Sequence, residues 1–256
     1  MIPISDDNPT LRAPVVTLLL LVVIGVVWVF VQGAGLVPMA LAASVCNLGL
    51  IAGELTGLAA VGTAVPLGEG IACVVDQEAI NYVTPLTSMF LHGGWAHLLG
   101  NGLFLWVFGN NVEDSMGRLR FLVFYLLCGL FAAAAQIVAD PDAAVPMVGA
   151  SGAISGVMGA YLLLYPRVRV NMLFGFFIIP MPAWVVLVWW FVLQLIGALP
   201  DLAGIEREVA GGVAVMAHVG GFVAGLLLVK PFENDELVEI RRRGQHHSHA
   251  HLVFRG

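Results

Sequence analysis

The sequence predicts an all-α membrane protein, a bundle of six transmembrane helices with a long extracytoplasmic loop between the first two. Three observations predict it. Of 256 residues, 59% are hydrophobic and 11% charged, where a soluble domain carries about 25% charge. With a mean hydropathy of +0.93, the chain has too few polar groups to cover itself in water. Six apolar stretches, 14–32, 95–112, 120–138, 150–165, 178–198 and 211–229, approach the roughly 18–20 residues that cross a bilayer as a helix. The third observation is where the basic residues fall. Arg12, Arg118, Arg120, Arg167, Arg169, Lys230, Arg241, Arg242, Arg243 and Arg255 lie at the N-terminus, in the 2–3 and 4–5 loops and after the last stretch, and only Arg207 lies in an alternate loop. The positive-inside rule then places both termini in the cytoplasm, which requires an even helix count.

The first stretch, Pro14 to Val31, follows Asp6 and Asp7. A cleaved signal peptide wants a basic leader and a shorter core, so the stretch reads as a retained helix, although Met39-Ala40-Leu41-Ala42 offers a weak cleavage site. Residues 33–94 are interrupted by Pro38, Pro66, Pro85 and many glycines. They are too broken to span, and an interfacial placement is expected. Cys46 and Cys73 both fall there, and an oxidising exterior would bridge them; two unpaired thiols is the equal alternative. Cys128, mid-helix, reads as a small packing residue, and no C-x-x-C spacing supports zinc or redox chemistry. The second and fourth stretches are short and polar for lipid-facing helices. No internal repeat and no nucleic-acid-binding stripe are present. The expected domains are a membrane unit over 1–229 and a polar, His-rich cytoplasmic tail over 230–256. His246, His247, His249 and His251 read as part of a solvated tail rather than a metal site, with Arg241–Arg243 near anionic headgroups.

Polar groups inside apolar spans are expensive and mark functional candidates. They cluster in three places. In FLHGGWAHLLGN, His97 and Asn101 are four apart and share a helix face, while His92 belongs to the loop before it. In VGASGAISGVMG, residues 148–159, a helix opening near Gly149 puts Ser151, Ser155, Gly152, Gly156 and Gly159 on one side, with Gly152-x-x-x-Gly156 suited to close backbone approach. In AHVGGFVAG, His218, Gly221 and Gly225 share a face. Each cluster taken alone could be plain packing or interhelical hydrogen-bonding.

Together they hold the parts for serine acyl transfer: a hydroxyl, an imidazole base and donors for an oxyanion. Ser151 needs a base within reach, which His218 could be. His97, Asn101 and the first-turn Ser151 N–H could serve the oxyanion. All 17 acidic residues lie in loops, tails or helix ends, which favours a Ser-His dyad over a triad. The soluble-hydrolase elbow would need glycine at 153, where Ala153 stands. No H-E-x-x-H motif supports a metal. A transporter with a broken fourth helix lacks ionisable partners for a coupling ion.

The motifs His92-x4-His97-x3-Asn101, Gly149-x-Ser151-Gly152 and Ala217-His218-x2-Gly221-x3-Gly225, in this order on helices 2, 4 and 6, resemble those of the rhomboid intramembrane serine proteases. The resemblance covers about Tyr82 to Val229. It implies Ser151 as nucleophile, His218 as general base, His97 and Asn101 as oxyanion stabilisers, His92 as a structural residue of the outer loop, and Glu113 as a structural acidic position. It also implies transmembrane proteins as substrates, no metal or cofactor, and multi-pass residence in a prokaryotic plasma membrane; oligomeric state has no signal. A catalytically silent relative that escorts membrane clients is the alternative. Two features depart from the family pattern. Val83 and Thr84 stand where some relatives carry Trp-Arg, and Ser155 stands where some carry a tyrosine stacked on the histidine.

Overall fold

The computed structural model describes residues 2–68, 70–76, 81–202 and 214–240. Helices dominate it. The N-terminus forms strand β1 (Ile2–Asp6), and α1 (Val15–Val26) follows, continued by a π-helical turn over Val27–Val31. Next come α2 (Pro38–Leu48), the short α3 (Ala52–Thr56), the hairpin β2 (Ala64–Gly68) and β3 (Ile71–Val74), and α4 (Thr84–Thr87). α5 (Trp95–Phe104) runs through a π-helical turn, Leu105–Gly109, into α6 (Asn110–Met116). α7 (Arg118–Ala139) and α8 (Ser151–Leu164) lead to a second hairpin, β4 (Arg169–Phe174) and β5 (Phe177–Pro182), and then α9 (Ala183–Leu202) and α10 (Val215–Phe232). Among the described residues, α7 and α10 are helices long and apolar enough to cross a membrane; α8 and the apolar runs Val15–Val31 and Ala183–Leu199 are shorter.

Two parts of the all-α expectation are corrected. The fifth apolar stretch, expected to be helical from 178, is a strand up to Pro182, and its helix starts at Ala183. Pro180 and Pro182 explain this, since proline lacks the N–H a helix interior needs. The two-residue turn at Gly175 and Phe176, with Gly175 at φ 58°, closes the hairpin. β1 pairs antiparallel with β4, giving a three-stranded sheet in the order β1-β4-β5. The 33–94 stretch is likewise structured, as α2, α3, α4 and the β2–β3 hairpin. A disulfide joins Cys46 on α2 to Cys73 on β3, and Cys128 is a buried free thiol. The predicted tail residues His246, His247, His249 and His251, together with Arg241–Arg243, Arg255 and Arg207, lie outside the described residues.

Contacts sort by end of the bundle. At one end, the buried Glu113 accepts from the Val16 N–H at 2.9 Å and from the Thr17 N–H and hydroxyl, both at 2.8 Å. It thereby caps α1, whose own N-cap, Pro14, offers no side-chain acceptor. Asp114 accepts from the Leu11 N–H and pairs with Arg12 at 3.1 Å. Asp6 accepts from the Asn111 side chain at 2.8 Å and from the Tyr161 hydroxyl. At the other end, Leu50 bridges Met147, the Gly53 N–H donates to the Ala143 carbonyl at 2.9 Å, and the Gly149 N–H donates to the Ser88 carbonyl at 2.9 Å.

The centre is α8 pressed between α7 and α10. Phe121, Phe124, Tyr125, Val157 and Tyr161 are fully buried there. Apolar burial drives little association between helices surrounded by lipid, so close backbone approach through small residues supplies the packing. A Cβ on Gly221 would lie 2.0 Å from the Gly152 carbonyl oxygen, and one on Gly225 1.9 Å from that of Gly156. The outer faces stay apolar: Val22, Phe30, Trp189, Ile196 and Leu227 are all exposed, as a lipid-facing surface requires.

Candidate active site

Ser151 is the first residue of α8, and His218 lies in the first turn of α10. The glycine seam lets these two helices meet, and the His218 Nε2 lies 2.7 Å from the Ser151 Oγ. The Ser151 N–H sits where a helix leaves its amides without intrahelical acceptors. Gly149, at φ 131°, turns the chain into α8, and a Cβ there would fall 2.7 Å from the His97 Nε2. Both the dihedral and the close approach demand glycine.

α5 brings the donors. The Gly93 N–H approaches the His97 Nδ1 at 3.4 Å, an arrangement that favours the tautomer whose proton is on Nε2, toward Gly149 and Ser151. Asn101, one turn on, is buried, and its Nδ2 donates to no group among the described residues. Ser151, His218, His97 and Asn101 line one cleft of about 1120 Å³. α2 and the β2–β3 hairpin contribute its far wall through Leu41, Val45, Leu67 and Ile71. Among the described residues no three metal-ligating side chains converge.

His92 stands in the turn before α5, fully buried, its ring edge-on to His97 at 5.1 Å. Its backbone is held from α1's far end: the His92 N–H donates to the Gln32 Oε1, and the Gln32 amide donates back to the His92 carbonyl, both at 2.8 Å. Ser155 donates to the Ser151 carbonyl at 2.6 Å, tightening the first turn of α8.

Sequence reasoning missed the glutamines. Besides Gln32, Gln136 on α7 accepts from the Ala217 N–H at 3.3 Å, and Gln194 on α9 accepts from the His218 Nδ1 at 2.9 Å. Each is a lone amide in an apolar run. The intramembrane-polar rule that selected the histidines applies equally to them.

A Rhomboid domain family model matches residues 80–232, more than half of the chain. The chain belongs to the rhomboid family. This makes it an integral membrane protein with a helical bundle. Among curated rhomboid relatives, it is 47% identical over 77 residues to rhomboid protease GluP of Bacillus subtilis (strain 168), covering 30% of this chain and 15% of that one. It is 36% identical over 91 residues to the putative rhomboid protease YdcA of the same organism, covering 36% and 44% respectively. It is 28% identical over 154 residues to rhomboid-like protein 11, chloroplastic, of Arabidopsis thaliana, covering 56% and 50%. In all three, the match spans half of the relative's length or less.

Proposed function

We propose that this rhomboid chain is an intramembrane serine endopeptidase that hydrolyses a peptide bond in or near transmembrane helices of other membrane proteins. The observation that carries the reading is the 2.7 Å contact between the Ser151 Oγ and the His218 Nε2 inside the cleft. His218 takes the hydroxyl proton as Oγ attacks the scissile carbonyl carbon. The resulting oxyanion is met by the Ser151 N–H, the His97 Nε2–H and the Asn101 amide. When the intermediate collapses, the C–N bond breaks and His218 delivers the proton to the leaving amine. Water, activated by the same imidazole, then hydrolyses the acyl-enzyme. His92, clamped by Gln32, orders the turn that carries His97. Gly149, Gly152, Gly221 and Gly225 hold the backbones at the required separation. The reaction draws on no cofactor or metal.

Six spans fit the contacts: α1, α5–α6, α7, α8, α9 and α10 alternate direction between the two ends. The motif-bearing unit runs from about Tyr82 to Val229, and residues beyond 230 form a cytoplasmic tail. Arg12, Arg118, Arg120, Arg167, Arg169 and Lys230 gather at the end opposite the cleft. The cleft therefore faces outward in a prokaryotic plasma membrane, with both termini cytoplasmic. A substrate helix must unwind to present its carbonyl, because backbone groups in lipid are otherwise satisfied within the helix. Helix-weak residues at the cleavage point follow.

Purified wild-type protein is expected to cleave a model transmembrane substrate, with Ser151→Ala and His218→Ala inactive. A fluorophosphonate should label wild type at Ser151 alone. Equal cleavage by wild type and Ser151→Ala would overturn the reading, and binding of substrate without any cleavage would favour an escort protein.

A further inference from the structure

His218 is held on both nitrogens. Its Nε2 meets Ser151, and its Nδ1 lies 2.9 Å from the Gln194 Oε1. A neutral imidazole carries one proton, on either nitrogen. An acceptor at Nδ1 fixes the proton there and leaves the Nε2 lone pair toward the serine. The other tautomer would point an N–H at the Ser151 oxygen and could not accept its proton. The serine-histidine dyad expected from the sequence has no third group; the structure supplies one that is an amide rather than a carboxylate.

The same helix face supplies a second restraint. Trp190 is four residues before Gln194 on α9, one turn away. Its ring packs on the His218 imidazole at 5.8 Å and 42°, and on Phe222 at 6.0 Å. α8 offers no ring of its own here, since position 155 is serine and its hydroxyl is engaged with the Ser151 carbonyl. An amide in an apolar helix is costly unless bonded. Apart from the indole N–H groups, Gln194 is the lone hydrogen-bonding side chain between Ala183 and Leu199.

We propose that Gln194 is a positioning residue for the proton transfer: its carbonyl oxygen holds His218 in the tautomer and orientation that accept the Ser151 proton, with Trp190 limiting rotation of the ring. This rests on the serine-protease reading above. Gln194 touches neither substrate nor the reacting atoms, so removing it should lower turnover rather than binding.

The full chain in detergent separates the possibilities. Gln194→Met keeps the volume and removes the acceptor. It is expected to lower kcat, and the rate of fluorophosphonate labelling at Ser151, by roughly 10- to 100-fold. KM should stay within about 2-fold of wild type, since ground-state binding is untouched. The thermal midpoint should be unchanged. Gln194→Glu retains an acceptor and should recover most of the rate. Wild-type kcat and labelling in Gln194→Met would overturn the proposal. So would losses in both variants that simply track a lowered thermal midpoint and active fraction. Ser151→Ala, run alongside, tells the two levels apart. If it is inactive while Gln194→Met is unimpaired, only the role of Gln194 falls. If Ser151→Ala still cleaves, the protease reading falls with it.

Discussion

Asn101 is buried among apolar helices with its Nδ2 unbonded among the described residues. A buried donor without a partner costs about 1–3 kcal/mol, and the side chain's position in the cleft suggests what offsets that cost. A donor that bonds only when charge develops stabilises the transition state and not the ground state. Asn101→Ala is therefore expected to lower kcat by about 10²- to 10³-fold with KM little changed, and to leave the thermal midpoint unchanged or raised. Steady-state kinetics and a thermal scan on the same preparation check this. A rise in KM alone would assign Asn101 to substrate binding. At this scale the sequence was legible where polar or small residues share a helix face: His97 with Asn101, and His218 with Gly221 and Gly225. It was not legible for Gln32, Gln136 and Gln194. Each is isolated in its own apolar run, and its partner lies 60, 81 and 24 positions away along the chain. Spacing within one element cannot reveal such a pair.

The α8–α10 seam converts small residues into the 2.7 Å approach of His218 to Ser151. Gly225 lies seven residues, about two turns, beyond His218, yet a Cβ there would meet the Gly156 carbonyl at 1.9 Å. Backbone cannot yield as a flexible side chain can, so α10 must move away from α8. Gly225→Ala should thus cut cleavage sharply and lower the thermal midpoint, although position 225 does not line the cleft. A Cβ added to Gly25 in α1 would meet nothing within 4 Å, and Gly25→Ala should be neutral or stabilising by up to about 1 kcal/mol. Similar behaviour of the two variants, measured as cleavage rate and thermal midpoint, would refute the seam's role. The glycine seam was readable because its spacing is helical. The β4–β5 hairpin was not, because Phe177, Ile178 and Ile179 are as apolar as a span, and hydropathy outweighed the signal from Pro180 and Pro182. The pairing of β1 with β4 joins residues far apart along the chain, as in Ile2 with Leu173, and no local pattern encodes it.

Two independent chemistries mark the opposite ends of the molecule. One end gathers the sheet β1-β4-β5 and the basic residues Arg12, Arg118, Arg120, Arg167, Arg169 and Lys230. The other carries the Cys46–Cys73 disulfide and the mouth of the cleft. Basic residues favour the cytoplasmic side, and disulfides persist on the oxidising side, so two unrelated sets of residues support the proposed orientation. The disulfide closes a loop of sequence separation 27, worth about 3–4 kcal/mol if chain entropy alone acts, and it ties together two elements of the cleft wall. Mild reduction of intact cells should therefore make Cys46 and Cys73 reactive toward a membrane-impermeant maleimide. An Asp235→Cys variant in a Cys46→Ala, Cys73→Ala background places its thiol at an exposed position just past α10, and should react only after the membrane is permeabilised. The reverse pattern would invert the molecule. The cleft would then open to the cytoplasm, and substrates would be cut near their inner rather than their outer ends.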